Sequence, residues 1–517
     1  MAHIISKTTF LSFLSCPKNV WLKFNKPEVL EKFQLSEFEK HILEQGNEVE
    51  SYARNLFPGG IEVVATGDDA LQETVRFMAS KVPTIFQATF LVDNFIAKND
   101  MLSYDAEQNL WNLYEVKGTN SLKEDSGEGG RDHIDDLAFQ VAVLNRAKIP
   151  LGRYFVIHLN KEYVRSGDLD LHTLFAIDDV TDKVAARLPE IEMQMALAKD
   201  YLNQEKEPIG GCECVYKSRK KHCTSFPYIH PHVPDYSVHD ISRIHKTKLD
   251  LLVERSIFDL NDVPEDFKLS QNQKNQVLAH RRQKPMIDLE SIKREMESMK
   301  FPLYFFDYEA FGPAIPVFNG YGPYKRIPFQ FSLHILHEPG GVLEHVEFLH
   351  DSLSDPSEKV GQLLKKHMAT PGTVVAWHKS FEEGVNREIA ARLPEYTSSF
   401  ERINGMMFDL KDIFQDQHYV HHGFKGSASL KKVLPTIASE LRYDGLGIQD
   451  GGTAADAWWK MVSPATSAKE SEQIAKDLKI YCGLDTFAMY AIWHHLQETV
   501  GHESVGPRLA YAPLVSR

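Results

Sequence analysis

Leu113-Tyr114-Glu115-Val116-Lys117, preceded by Ala97-Lys98-Asn99-Asp100-Met101-Leu102, is the stretch on which the N-terminal half turns. Alternation along a strand at Leu110 to Val116 puts Glu115 and Lys117 on one face and turns Val116 to the core. A turn joining the two segments would bring Asp100 beside them. Two carboxylates suit Mg2+ or Mn2+, hard ions that prefer oxygen. The lysine can orient and activate an attacking water while countering phosphate charge. The same Glu-x-Lys also occurs as an ordinary strand pair, so spacing alone leaves both readings open.

Around this stretch the pattern alternates between helix and strand. An amphipathic helix spans His41 to Phe57 and stops at Pro58-Gly59-Gly60. Gln87 to Ile96 reads as one strand, and Asp100 to Tyr104 leads through a turn to Leu110. Gly127, Gly129 and Gly130 read as a mobile loop, followed by a helix at Asp135 to Ala147 and a strand at Tyr154 to His158. The chain has 517 residues, too many for one ordinary core. Three regions are expected: 1–230, a helical linker at 231–299, and 300–517. The linker holds Lys248 to Glu254 and then Ile257 to Pro264, a pattern that suits either a plain spacer or a helix-hairpin-helix.

The third region opens with Phe305-Phe306-Asp307-Tyr308-Glu309, an apolar strand ending in acids. Asp307 and Glu309, two apart, face the same way and can share metal ions. Near the other end, Tyr481-Cys482-Gly483-Leu484-Asp485 sets a tyrosine and an acid one helical turn apart. Between them lies Trp377-His378-Lys379-Ser380-Phe381-Glu382, which resembles the middle motif of the exonuclease family named below, and that resemblance implies Glu382, with Glu383 as alternate, as the middle acid. Asp409 reads as a supporting residue, with Asp412 as a possible substitute ligand. Further strands are expected at Phe329 to Leu336 and Thr373 to Trp377, with a helix from Phe381 and a long one from Glu470 to Glu498. The class is α/β.

The formal charge of −14 is unlike that of most nucleic-acid binders, but clustered metal-binding acids and bound cations account for such a balance in nucleases. Two local basic runs, Lys217 to Lys221 and His280 to Lys284, read either as solvated faces or as contacts to phosphate. No apolar run reaches membrane-span length, and the N-terminus lacks the order of a secretory signal, so a cytoplasmic protein is expected. The five cysteines, an odd number, argue against a disulfide framework. Three of them, Cys212, Cys214 and Cys223, fall within twelve residues, whereas Cys482 reads as a core cysteine.

The Asp100/Glu115/Lys117 set resembles the PD-(D/E)XK nucleases of the RecB-like group. Ser6-Lys7-Thr8 through Cys16-Pro17-Lys18, Gly46-Asn47-Glu48-Val49-Glu50 and Phe139-Gln140 carry the same likeness. It implies that Gln140 contacts substrate or water and that Glu50 stands where many relatives have a metal-binding histidine. In a subset of that group one early and three late cysteines bind a [4Fe-4S] cluster. Cys16 with Cys212, Cys214 and Cys223 matches the arrangement, although Cys212-x-Cys214 is tighter; structural Zn2+ is the alternative. Asp307-x-Glu309 and Tyr481-x-x-x-Asp485 resemble the DEDDy branch of DnaQ-like exonucleases on a ribonuclease H-like fold, which implies that Tyr481 orients the water. Leu159 to Asp168 and Gly426 to Lys431 extend the resemblance to a bacterial family joining both domains.

Together these imply an enzyme hydrolysing phosphodiester bonds of DNA, or of RNA, with Mg2+ or Mn2+. The C-terminal site would trim 3′ to 5′ and the N-terminal site would cut single strands or flaps, in repair or defence. Its partners would be DNA ends or single strands, and no membrane. The alternatives are a nucleic-acid-binding scaffold with inactive sites and a hydrolase of small phosphoesters.

Overall fold

The structure, a computed structural model, describes residues 3–30, 37–120 and 133–501; the loop expected at Gly127, Gly129 and Gly130 lies outside them. The chain divides into two compact units. The first holds the residues up to Val233 together with Pro313–Tyr324, and the second holds Pro234–Gly312 with Lys325 onward. From Pro234 the stretch expected as a linker is therefore grouped with the second unit. It contains the helices Lys246–Glu254, Gln271–Arg282 and Leu289–Ser298, with a short 3-10 turn at Leu260–Asp262 after the first. Both units are mixed α/β.

Unit 1 is built on a seven-stranded sheet in the order Ile61–Glu62, Thr84–Val92, Phe95–Asp105, Leu110–Lys117, Leu151–Leu159, Phe175–Asp179, with Ile5–Ser6 added beside Phe95–Asp105. The single strand expected at Gln87 to Ile96 is two strands. The chain reverses at Asp93-Asn94, whose φ angles of 52° and 71° suit short polar residues in a two-residue hairpin turn. Leu110–Lys117 then runs antiparallel to Phe95–Asp105 and parallel to Leu151–Leu159. A parallel pair needs a crossover, and the helix His133–Arg146 lies in it. Leu137, Phe139, Val141 and Leu144 of that helix are fully buried with Phe95, Leu102 and Leu113. Met101, next to Leu102, belongs to a different cluster with Val49, Ala53 and Ile157, so both faces of the sheet are covered. Each such buried side chain contributes about 1.5–3 kcal/mol.

Unit 2 carries a five-stranded sheet in the order Leu343–Leu349, Ile327–Leu336, Leu303–Phe311, Thr373–Ala376, Met407–Asp409; the first three are antiparallel and the last two join in parallel. The strand expected to stop at its acids continues to Phe311. Its ladder holds through Asp307↔Ser332 and Glu309↔Gln330, and Tyr308 between them enters the core. Ser467 caps the long helix Ala468–Thr499. That helix is pinned to the sheet by buried polar contacts. Thr486 Oγ1 lies 2.7 Å from Ser332 Oγ and 2.8 Å from His334 Nδ1, and Gln330 Nε2 donates to the Leu478 carbonyl at 3.0 Å. These bonds fix the rotation of the helix and hence the direction of Asp485. Among the described residues no helix is long and apolar enough to cross a membrane.

Candidate metal sites

In unit 1 the register Met101↔Tyr114 sets Asp100 beside Glu115, and Asp100 Oδ2 accepts the Val116 amide at 2.9 Å. Glu115 is 2% exposed. Its Oε1 accepts Lys7 Nζ at 2.5 Å and Lys117 Nζ at 2.8 Å, while Oε2 accepts Gln140 Nε2 at 2.7 Å. Burial opposes ionisation of Glu115, yet Lys117 and Lys7 outweigh it and hold the carboxyl below its ordinary range. Asp100 behaves in the opposite way. Burial pushes it up to about 8, Glu115 adds to the rise, and Lys7 only partly opposes it. Burial would also discharge Lys117, but Glu115 and Asp136 keep it above the usual lysine value.

Glu50 reaches this group from the helix Glu37–Arg54, and its charge is felt at Asp100. Its Oε1 accepts Arg54 Nη2 at 2.7 Å and Gln87 Nε2 at 2.5 Å. Gln87 has a φ of 58° inside a strand and lies opposite Asp100, where the ladder breaks between Phe86↔Met101 and Ala88↔Asn99. A non-glycine residue held there carries strain of order 1–3 kcal/mol, a cost met most often at working sites.

In unit 2, Asp307, Glu309 and the Cys482 sulfur form a group whose ligand atoms all lie within 4.8 Å of one another. Asp485 stands next to them on the long helix, its Oδ1 accepting the Tyr443 hydroxyl. Burial, then Asp485 and the other acids, pushes Asp307 and Glu309 well above the carboxylate range. Burial also raises Asp485 to about 6 against the hydrogen bond from Tyr443, the charge of Lys431 and a hydrogen bond from Tyr481. Tyr481 is 5% exposed, and burial pushes its phenol up, with Asp485 adding to it.

Glu382 opens the helix Ser380–Arg392 and is 2% exposed, with Oε2 unpartnered among the described residues. Burial pushes it up to about 8. Its charge raises Asp307 and Glu309, so it stands within Coulombic reach while lying outside their 4.8 Å group. Glu383 instead pairs with Arg387 at 3.3 Å. Asp409 accepts the amides of His378, Lys379 and Lys411 at 2.9, 3.0 and 3.2 Å. It thereby holds the turn entering the Glu382 helix, where His378 has a φ of 77°.

The cysteines of unit 1 form the third centre. Cys16, at the junction of the helices Lys7–Ser15 and Pro17–Asn25, meets Cys212, Cys214 and Cys223, and the four could hold a metal ion. The Cys212 and Cys223 sulfurs are 3.9 Å apart, and His230 Nε2 is 3.4 Å from Cys212 Sγ. Neighbouring contacts hold the same ends together without metal. Asn19 Oδ1 accepts from Thr224 Oγ1, Ser225 Oγ and Ser225 N, and Lys18 Nζ donates to the Gly210 carbonyl at 2.6 Å.

Residues 304–429 match the sequence family described as "Domain of unknown function (DUF2779)". The matched segment contains Asp307, Glu309, Glu382 and Asp409 and stops before Tyr443, Tyr481 and Asp485. The chain is also similar to the uncharacterised protein MG366 of Mycoplasma genitalium, 27% identical over 226 residues, which are 40% of this chain and 34% of that protein. The uncharacterised protein UU173 of Ureaplasma parvum is 26% identical over 223 residues, 39% of this chain and 32% of that protein. The match thus spans about a third of the length of these relatives. No solved structure matches the chain.

Several residues at these sites escape a reading of the sequence. Cys482 is fully buried, as a core cysteine would be, but it lies against the acids of unit 2. Asp136 pairs with Lys117, and its spacing of four from Gln140 on one helix is the signal that could have found it. Lys7 is separated from Glu115 by 108 residues. Tyr443 lies in an irregular stretch with nothing periodic to mark it, and Lys431 ends the Gly426 to Lys431 stretch that carries the resemblance without any sign that it faces the acids.

Proposed function

We propose that this chain is a metal-dependent nuclease with two sites, a RecB-like PD-(D/E)XK nuclease in unit 1 and a DnaQ-like DEDDy exonuclease of ribonuclease H-like fold in unit 2. The observation that carries the reading is the crowding of two buried acids, Glu309 and Asp485, with the half-buried Asp307, Lys431 being the main cation felt among them. Packing alone gives no reason to bury like charges, whereas a cation site does. Mg2+ or Mn2+, when bound, supplies Lewis acidity, an activated water and neutralisation of the scissile phosphate.

The residues have distinct tasks in this reading. Asp307, Glu309 and Asp485 hold the ions, with Glu382 a fourth acid within Coulombic reach. Tyr481 orients the water and Tyr443 fixes the Asp485 carboxylate. In unit 1, Asp100, Glu115 and Glu50 are the metal carboxylates, Lys117 faces the phosphate, and Gln140 holds Glu115 in register. The substrate is a DNA end or single strand, with RNA as the alternative. The test is digestion of end-labelled single-stranded, duplex and flapped DNA and RNA with Mg2+ or Mn2+. Lys117→Ala and Asp307→Ala should each remove a different product pattern; no cleavage of any substrate by the wild type sinks the proposal.

A second reading, a binding scaffold with an inactive first site, is favoured by one observation. Lys7 and Lys117 both occupy the Oε1 atom of Glu115 that a metal would need. Binding of DNA in chelator with no metal-dependent turnover would select it. For the cysteine centre, one early and three late thiolates favour a [4Fe-4S] cluster, which when bound would tie the ends of unit 1. The close sulfur spacing favours tetrahedral zinc, for which sulfurs sit about 3.8 Å apart. Iron, acid-labile sulfide and zinc content of anaerobically purified protein separates the two.

A further inference from the structure

We infer that Cys482 is a metal ligand of the unit 2 site, making it a mixed carboxylate–thiolate centre that takes thiophilic divalent ions of the Zn2+ and Cd2+ class more tightly than Mg2+. The inference rests on the reading of Asp307 and Glu309 as metal carboxylates and adds a donor that this reading does not contain. Cys482 is fully buried on the helix Ala468–Thr499, and its sulfur is 4.0 Å from Asp307 Oδ2. One atom each from Asp307, Glu309 and Cys482 fits within 4.8 Å. A sulfur and an oxygen sharing one tetrahedral ion stand about 3.6 Å apart, from bonds of roughly 2.3 and 2.1 Å. The observed separation reaches that value with a shift of a few tenths of an ångström.

Position on the helix explains why the thiol is there. Cys482 precedes Asp485 by three residues, so both side chains project from one face of the helix toward the strand Leu303–Phe311. The Thr486 contacts to Ser332 and His334 lock that face in place. A thiolate among carboxylates raises affinity for soft and borderline ions far more than for Mg2+, which prefers six oxygens in octahedral geometry. Binding replaces the S–H bond by a metal–sulfur bond and releases the proton to solvent.

The test uses the full chain with its cysteine centre already filled. Cd2+ is added to wild type, Cys482→Ser and Asp307→Asn, and binding is followed by the thiolate-to-cadmium charge-transfer absorption and by equilibrium dialysis. Wild type should gain the absorption as it binds Cd2+. Cys482→Ser should lose it and bind Cd2+ at least about tenfold more weakly, with affinity for Mn2+ changed far less. Asp307→Asn, which keeps the thiol, should weaken the absorption, placing the sulfur in the acid site. An unchanged absorption and Cd2+ affinity in Cys482→Ser overturns the inference. Because no nucleic acid is involved, that result leaves the nuclease reading standing, and absence of nuclease activity leaves this one standing.

Discussion

The two acid sites differ in how they are neutralised. In unit 1, Glu115 is gripped by Lys7, Lys117 and Gln140, so the protein itself supplies the positive charge. In unit 2, Asp307, Glu309 and Asp485 crowd together, with Tyr443 and Lys431 as partial relief. A carboxylate held by cations contributes to stability, while crowded acids cost stability until something else neutralises them. The first arrangement is tolerable as plain structure, and the second supports the proposed cation site. Motif completeness points the other way, since the N-terminal set is the fuller one in sequence. Charge balance, visible only in three dimensions, gives the C-terminal site the stronger physical case.

The largest effect that would break this contrast is on activity. Asp485→Asn should lower 3′-end trimming by about 100- to 1000-fold in Mn2+, measured on end-labelled DNA, and leave products dependent on Lys117 in place. Trimming at more than a tenth of the wild-type rate would mean that the crowded acids do not act there.

Stability should move in opposite directions in the two units. Glu115→Gln takes the carboxylate from Lys7 and leaves Lys117 with Asp136 alone, and should cost about 2–3 kcal/mol. Asp307→Asn relieves the crowding of acids and should raise stability. Urea titration in buffer free of divalent ions reads both; equal signs would erase the distinction drawn here.

Acidity sharpens the contrast further. The folded values of Asp485 and Glu382, about 6 and about 8, lie above the ordinary 3.8 and 4.5. Folded unit 2 therefore binds more protons than the unfolded chain between about pH 4 and 8, and its stability falls as pH rises through that window. Saturating Mn2+ should flatten the slope by taking the place of the protons. Unit 1 should show two opposed slopes. Asp100, at about 8, acts as the unit 2 acids do, whereas the depressed Glu115 gives stability present above 4.5 and lost as pH falls below it. Thermal melting across pH, with and without Mn2+, checks both; a unit 2 that gains stability toward pH 8 without metal contradicts the crowding.

The smallest effect belongs to a positioning residue. Asp409→Ala removes an acceptor shared by three backbone amides and should cost unit 2 about 1–2 kcal/mol. Chemical denaturation measures it, and a neutral result would mean that the turn before Glu382 holds itself.

Much of the local structure was legible because it is periodic. Alternation placed Glu115 and Lys117 on one face, and spacing of four placed Tyr481 with Asp485. The helix expected at Asp135 to Ala147 is observed at His133–Arg146, and the one expected at Glu470 to Glu498 at Ala468–Thr499. Reading failed where polarity and turn chemistry compete with the pattern. Asp93-Asn94 reads as part of a strand because its neighbours are apolar, and the strand through Asp307 reads as ending at its acids although it runs on to Phe311. Acids look like a strand end because charge is seldom buried, and a site is where that rule is broken.

By itself, then, the sequence determined the α/β character, the candidate acids and the four cysteines, because residue type and short-range spacing encode these directly. Only the tertiary structure decided which charges meet. Lys7 reaches Glu115 across 108 residues, and Cys482 stands 4.0 Å from Asp307 across 175. Glu382 enters the field of the other acids without joining their group. The physical reason is that a pKa or a ligand set depends on distance and burial, and those follow from how sheets and helices pack rather than from any neighbour in the chain.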